Sequence, residues 1–169
     1  MRYQYKREPL LGDEVAALER VCETARDRLI LWTLLDTGLR VAELANLRRH
    51  NIDFQTHRLV LFGKGNKRRV LKMTDRIRPL LESHYAMEDR FPIGARTIQR
   101  RIQILANQAA VVRKTSPHVL RHTFSVNCIQ KGISLPTLQQ LLGHADLATT
   151  QIYTNLSPEM ALEEFSRKW

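Results

Sequence analysis

A chain of 169 residues, 43% of them apolar, is long enough to bury one sizeable core, and a single domain is expected. No apolar run approaches the roughly 20 residues of a membrane span, and the charged start MRYQYKREPLLGDE lacks the apolar stretch of a secretory signal. The net charge of +10 favours nucleic acid or another anionic surface as partner, while Cys22 and Cys128, far apart within helical patterns, read as reduced core thiols of a cytoplasmic protein.

Val15, Leu18, Val21 and Cys22 share one face of a helix predicted over 13–24, with Asp13 as its N-cap. The next run, RDRLILWTLLD over 26–36, is apolar nearly all round, so it predicts a buried central helix that stops at Gly38. A third helix is expected over 40–49. The period then changes to two. RLVLF and RVLKM, 58–62 and 69–73, flank GKGNK and predict a hairpin, with 52–54 as a candidate third strand. Helical patterns return over 75–87, 95–110, 117–131, 135–142, 147–153 and 158–168. Ser116-Pro117 and Ser157-Pro158 each place an N-cap residue before a proline suited to the first helical position. The expected fold class is mainly α with a small three-stranded antiparallel sheet, and no Pro/Gly-rich linker divides it.

Charge is unevenly distributed. Over 90–145 there are eight Lys/Arg and no acid, and 63–72 carries five Lys/Arg in ten residues. Composition alone leaves open a solvated basic face or a nucleic-acid surface.

The candidate chemistry is spread along the chain. Arg40 follows a glycine break at a helix start. It is either an exposed arginine paired with Glu43 or a guanidinium aimed at an anion. His118, Arg121 and His122 fall at i, i+3 and i+4 and share one helix face. The histidine spacing would suit zinc, but Val119 stands where a metalloprotease has its glutamate, Arg121 adds positive charge, and no carboxylate is near in sequence. No metal is expected. GKGNK lacks P-loop spacing and reads instead as a basic hairpin tip suited to a DNA groove. Tyr153, nine residues after His144, is either a half-buried aromatic or a nucleophile. Taken together the set has one logic. Two arginines can hold the oxygens of one phosphate, imidazoles can bond it or move a proton, a lysine can act as general acid, and a tyrosine hydroxyl can attack. That is phosphodiester transesterification by a set that needs no metal.

TGLRVAEL, FGKGNKRR, SPHVLRHTFS and LLGHADLATTQIYTN, in this order, resemble the tyrosine recombinase, or phage integrase, family over about residues 9–165. The resemblance implies the family's catalytic-domain fold and makes Arg40, Lys64, His118, Arg121, His144 and Tyr153 the catalytic set. It implies a 3′-phosphotyrosyl intermediate and strand exchange through a Holliday junction. It also implies double-stranded DNA as partner, a tetramer on synapsed sites with a monomer when free, and no cofactor. Lys67, Arg68, Arg69, Arg96, Arg100 and Arg101 are the expected DNA-binding residues. The family's C-terminal segment, here 157–169, is expected to dock on a neighbouring protomer or to fold back in cis.

Two departures from the family pattern stand out. Only 39 residues precede Arg40 and they read as catalytic-domain helices, so the family's additional N-terminal DNA-binding domain is expected to be absent from 1–169. The segment MEDRFPIGA is a shortened connection. The rival readings are a type IB topoisomerase and a non-catalytic DNA-binding protein of the same fold.

Overall fold

The computed structural model describes residues 8–62, 68–143 and 166. The N-terminal part is helical. Helix α1, Gly12–Arg20, begins after Leu11, whose backbone N–H donates to Glu14 Oε2 at 2.8 Å. It ends before the expected 24, because Thr24 caps the next helix by accepting from the Asp27 N–H at 3.1 Å. Helix α2, Ala25–Thr37, carries buried Leu29, Ile30, Leu31, Leu34 and Leu35 around most of its circumference. It is the central helix that the apolar pattern predicts. Gly38 ends it at φ +61, and a Cβ there would stand 2.4 Å from Phe124 Cδ1. Only glycine meets both demands.

Helix α3, Val41–Ala45, is shorter than the expected 40–49. Tertiary bonds take over after it. The Leu47 carbonyl accepts from Tyr85 Oη and the Phe91 N–H, and Arg48 bridges to Arg90. A 3₁₀ turn, Arg49–Asn51, leads into the sheet. Its strands are β1 (Ile52–Asp53), β2 (Arg58–Phe62) and β3 (Arg68–Lys72), antiparallel in the order β1-β2-β3. Leu59 pairs with Leu71 and Leu61 with Arg69, so the alternation of β3 points Arg69 and Leu71 inward.

Four helices complete the described chain: α4 (Arg78–Met87), α5 (Ala95–Gln108), α6 (Pro117–Gln130) and α7 (Leu135–Leu142). The α5 stripe of Ile98, Ile102, Leu105 and Ala106 is buried. Ser116 caps α6 with Pro117 at its start, and Ser134 caps α7. One apolar cluster runs from Leu10 through α2, the sheet and α5 to Leu120. A smaller one, Phe124, Cys128 and Leu138, joins α6 to α7. Both cysteines are free and buried, and burial pushes each thiol up to about 11. Among the described residues no helix is long and apolar enough to cross a membrane. The helices expected over 147–153 and 158–168, and the docking expected of 157–169, lie outside the described residues apart from residue 166.

Candidate active site

The α2–α3 junction, the inward edge of β3, the start of α6 and the end of α7 meet at one place. Arg40 is the residue before α3. Its backbone N–H donates to Glu43 Oε2 at 2.7 Å, and its Nη1 donates to Glu43 Oε1 at 3.2 Å. That backbone bond is half of a capping box, so Glu43 fixes the junction and the guanidinium together. The Arg40 side chain keeps 36% of its surface exposed, which leaves it the accessible member of the pair.

Glu43 binds a second cation. Arg69 Nη2 donates to its Oε2 at 2.6 Å. Burial alone would raise the Glu43 carboxyl. The bond from the Arg40 backbone and the charges of Arg69 and Arg40 outweigh it and hold the group below the usual carboxylate range. Glu43 is therefore an anion between two guanidiniums.

Arg121 enters from α6. Its Nη1 donates to the Gly38 carbonyl at 2.6 Å and its Nη2 to the Leu142 carbonyl at 3.0 Å. The first bond ties the α6 arginine to the turn that presents Arg40. The second ties it to the last residue of α7. Arg69 Nη1 donates to the same Leu142 oxygen at 2.7 Å. Two cations on the final carbonyl suit the negative end of a helix.

His118, directly after Pro117, is exposed, while His122 one turn on is buried. The two share a helix face but not an environment. Burial, and then the charge of His118, hold the His122 imidazole below the ordinary histidine range. His118 lines a cleft of about 300 Å³ with Val41, Gln99, Gln103, Lys114 and Ser116. Val41 follows Arg40, so the cleft joins the start of α3 to the start of α6 and one face of α5.

The expected site residues thus separate into groups. The structure brings Arg40 and Arg121 to one junction, with His118 at the adjoining cleft. Arg96 and Arg100 are exposed on α5, and Arg68 is exposed on β3. Two of the expected DNA-binding residues are engaged within the fold. Arg69 does not face solvent: its side chain is 7% exposed and engaged by Glu43 and Leu142. Arg101 is turned toward α2, where its Nε and Nη2 grip buried Asp27 at 2.6 and 2.7 Å. A carboxylate engages each guanidinium: Glu43 holds buried Arg69, and Asp27 holds Arg101, whose side chain is 28% exposed. Lys64, Lys67, His144 and Tyr153 lie outside the described residues.

Sequence reasoning gave Glu43 only a passing role, although a glutamate three residues into a helix start is a capping-box signal. The inward slot of Arg69 was also readable, since it shares strand parity with Leu71.

The phage integrase family model matches residues 9–160. The chain belongs to that family, within which its relatives are tyrosine recombinases. It is 34% identical over 154 residues to tyrosine recombinase XerC of Listeria innocua, covering 80% of this chain and 51% of that protein. It is 35% identical over 156 residues to tyrosine recombinase XerA of Saccharolobus solfataricus, covering 85% and 53%. The chain spans about half the length of the curated relatives it matches. Among solved structures, a crystal structure of XerA recombinase aligns with a TM-score of 0.82 at 32% identity, covering 99% of this chain and 65% of that one. XerH site-specific recombinase bound to its difH substrate aligns at 0.75 over 95% of this chain and 54% of that one. At 24% identity it bears on the fold.

Proposed function

We propose that this chain cuts and rejoins double-stranded DNA as the catalytic domain of a site-specific tyrosine recombinase. One observation carries the reading. Arg121 is bonded to the Gly38 carbonyl, two residues before Arg40, so the SPHVLRH helix and the TGLR junction form one locked unit bearing two guanidiniums. Such a pair suits a phosphoryl group whose oxygens gain negative charge on the way to a pentavalent transition state.

The chemistry is a transesterification. The Tyr153 hydroxyl oxygen attacks the phosphorus and forms a 3′-phosphotyrosyl bond. Its proton passes to His118. The 5′-oxygen leaves with a proton from Lys64, and His144 hydrogen-bonds the phosphate. Arg40 and Arg121 stabilise the transition state. The phosphodiester energy is kept in the protein–DNA link, so a 5′-hydroxyl of a second duplex reverses the step and completes strand exchange. The free chain acts as a monomer and assembles as a tetramer on synapsed DNA in the cytoplasm. Exposed Arg96, Arg100 and Arg68, with Lys67, hold the DNA backbone.

Strand exchange separates this reading from relaxation. The chain is incubated with two nicked duplexes of different length, drawn from a randomised pool, and in parallel with supercoiled plasmid. Products joining strands of both duplexes support recombination. Relaxed plasmid with no exchanged strand contradicts it and favours topoisomerase action.

A further inference from the structure

An arginine occupies the core-facing slot of β3 that Leu71 occupies two residues later. The Arg69 side chain is 7% exposed, and within that burial its guanidinium joins three elements. It starts on β3, the strand that follows GKGNK, with Lys64, in the sequence. It meets α3 through Glu43, the partner of Arg40, and it meets the last carbonyl of α7 at Leu142. Gly143 is fitted to it, since a Cβ there would stand 2.6 Å from Arg69 Nη1. Burying a charge in this way is costly unless its geometry is used, and an apolar residue would fill a strand slot more cheaply. Along the chain, α3 follows Arg40 directly, β3 follows Lys64, and α7 carries Arg121's acceptor and precedes His144 and Tyr153.

We propose that Arg69 is a positioning residue of the strand-transfer reaction. It does not touch DNA. By holding the Glu43 carboxylate and the Leu142 carbonyl with its two terminal nitrogens, it fixes the exit of α7 against the Arg40 junction. A fork-shaped guanidinium can do both at once, whereas a lysine ammonium is a single point donor on a flexible stem. This inference rests on the recombinase reading, and the wild-type control keeps the two apart.

The test compares wild type, Arg69→Lys and Arg69→Met. Covalent adduct formation on a nicked duplex that wild type cleaves is measured in single turnover at saturating DNA, with DNA affinity and thermal unfolding measured in parallel. Arg69→Lys should fold and bind DNA within about threefold of wild type, yet form adduct at least about tenfold more slowly, as expected when reacting groups are displaced by a fraction of an ångström. Arg69→Met, which leaves Glu43 its bond to Arg40, should fold and be slower still. Wild-type rates at saturating DNA in either folded variant, or slowing that only tracks weaker affinity, overturn the proposal. So does failure of both variants to fold, which makes Arg69 a purely structural residue. If wild type forms no adduct on any duplex, the recombinase reading fails and this inference fails with it.

Discussion

Arg69 and Arg121 donate to one oxygen, the Leu142 carbonyl, over 2.7 and 3.0 Å. One guanidinium comes from a strand and the other from a helix, and each has a second anchor in the Gly38–Glu43 junction. The end of α7 is thereby fixed to the same place as Arg40. The next residues in the chain are Gly143 and His144, and Tyr153 follows nine residues later.

Glu43 is the anion of this network, so its loss should be felt in stability. Glu43→Gln leaves Arg69 buried beside a neutral amide. Removing one partner of a buried pair typically costs about 3–5 kcal/mol, and the partial exposure of Arg40 places this case toward about 3. Denaturant unfolding of the two proteins measures it. A difference within error of zero contradicts the network.

Gly38→Ala adds a Cβ to a residue at φ +61, against the Phe124 ring. Backbone strain of about 1 kcal/mol and overpacking of about 1–3 kcal/mol should combine to lower the melting temperature by several degrees. The shift should exceed that of Gly94→Ala, where nothing lies within 4 Å of the added carbon. Equal shifts contradict the close packing of α6 on the turn.

Much of this architecture was legible in the sequence. The buried α2, the paired strands β2 and β3, the capped start of α6 and the glycine stop at 38 follow from period, caps and turn chemistry. The element ends were less legible. Thr24 belongs to α2 as its cap, and α3 stops early because Leu47 and Arg48 bond to α4 and the segment after it. Arg40 and Arg121 were readable within motifs, but the acceptors of Arg121 were not. Backbone carbonyls of Gly38 and Leu142 have no sequence signature, and only the fold brings them to Arg121. The carboxylate partners of Arg69 and Arg101 were not legible either. A count of basic residues does not separate charges facing solvent from charges facing a buried carboxylate.

That separation has a salt signature. Arg96→Gln and Arg100→Gln remove exposed cations and should each lower the slope of log affinity against log salt by about 1, alike on all sequences. Arg101→Gln should leave the slope unchanged and instead destabilise the fold, since it strips buried Asp27 of its cationic partner and leaves it only the Thr24 hydroxyl. A slope change for Arg101→Gln equal to that for Arg96→Gln contradicts the assignment.

His122 sets a pH dependence of stability. Burial and the neighbouring His118 charge lower its proton affinity in the folded state. Between that lowered value and the ordinary one of about 6.5, the unfolded chain binds more protons than the folded one, so stability rises with pH. Its full contribution is present above about pH 6.5 and is lost as pH falls toward the folded-state value. Unfolding free energies of wild type and His122→Gln, measured from about pH 7.5 to 5, should converge as pH falls. Parallel profiles contradict a depressed His122.

The claim on which the functional account stands is that Tyr153 becomes covalently joined to DNA. Wild type and Tyr153→Phe are incubated with a nicked duplex that traps the cleaved product, and protein–DNA adducts are resolved under denaturing conditions. Wild type should give an adduct bearing the 3′-phosphate side of the break, which proteolysis and mass spectrometry assign to Tyr153. Tyr153→Phe should bind the duplex with unchanged affinity and give no adduct. An adduct that persists in Tyr153→Phe, or one that maps to another residue, contradicts the account.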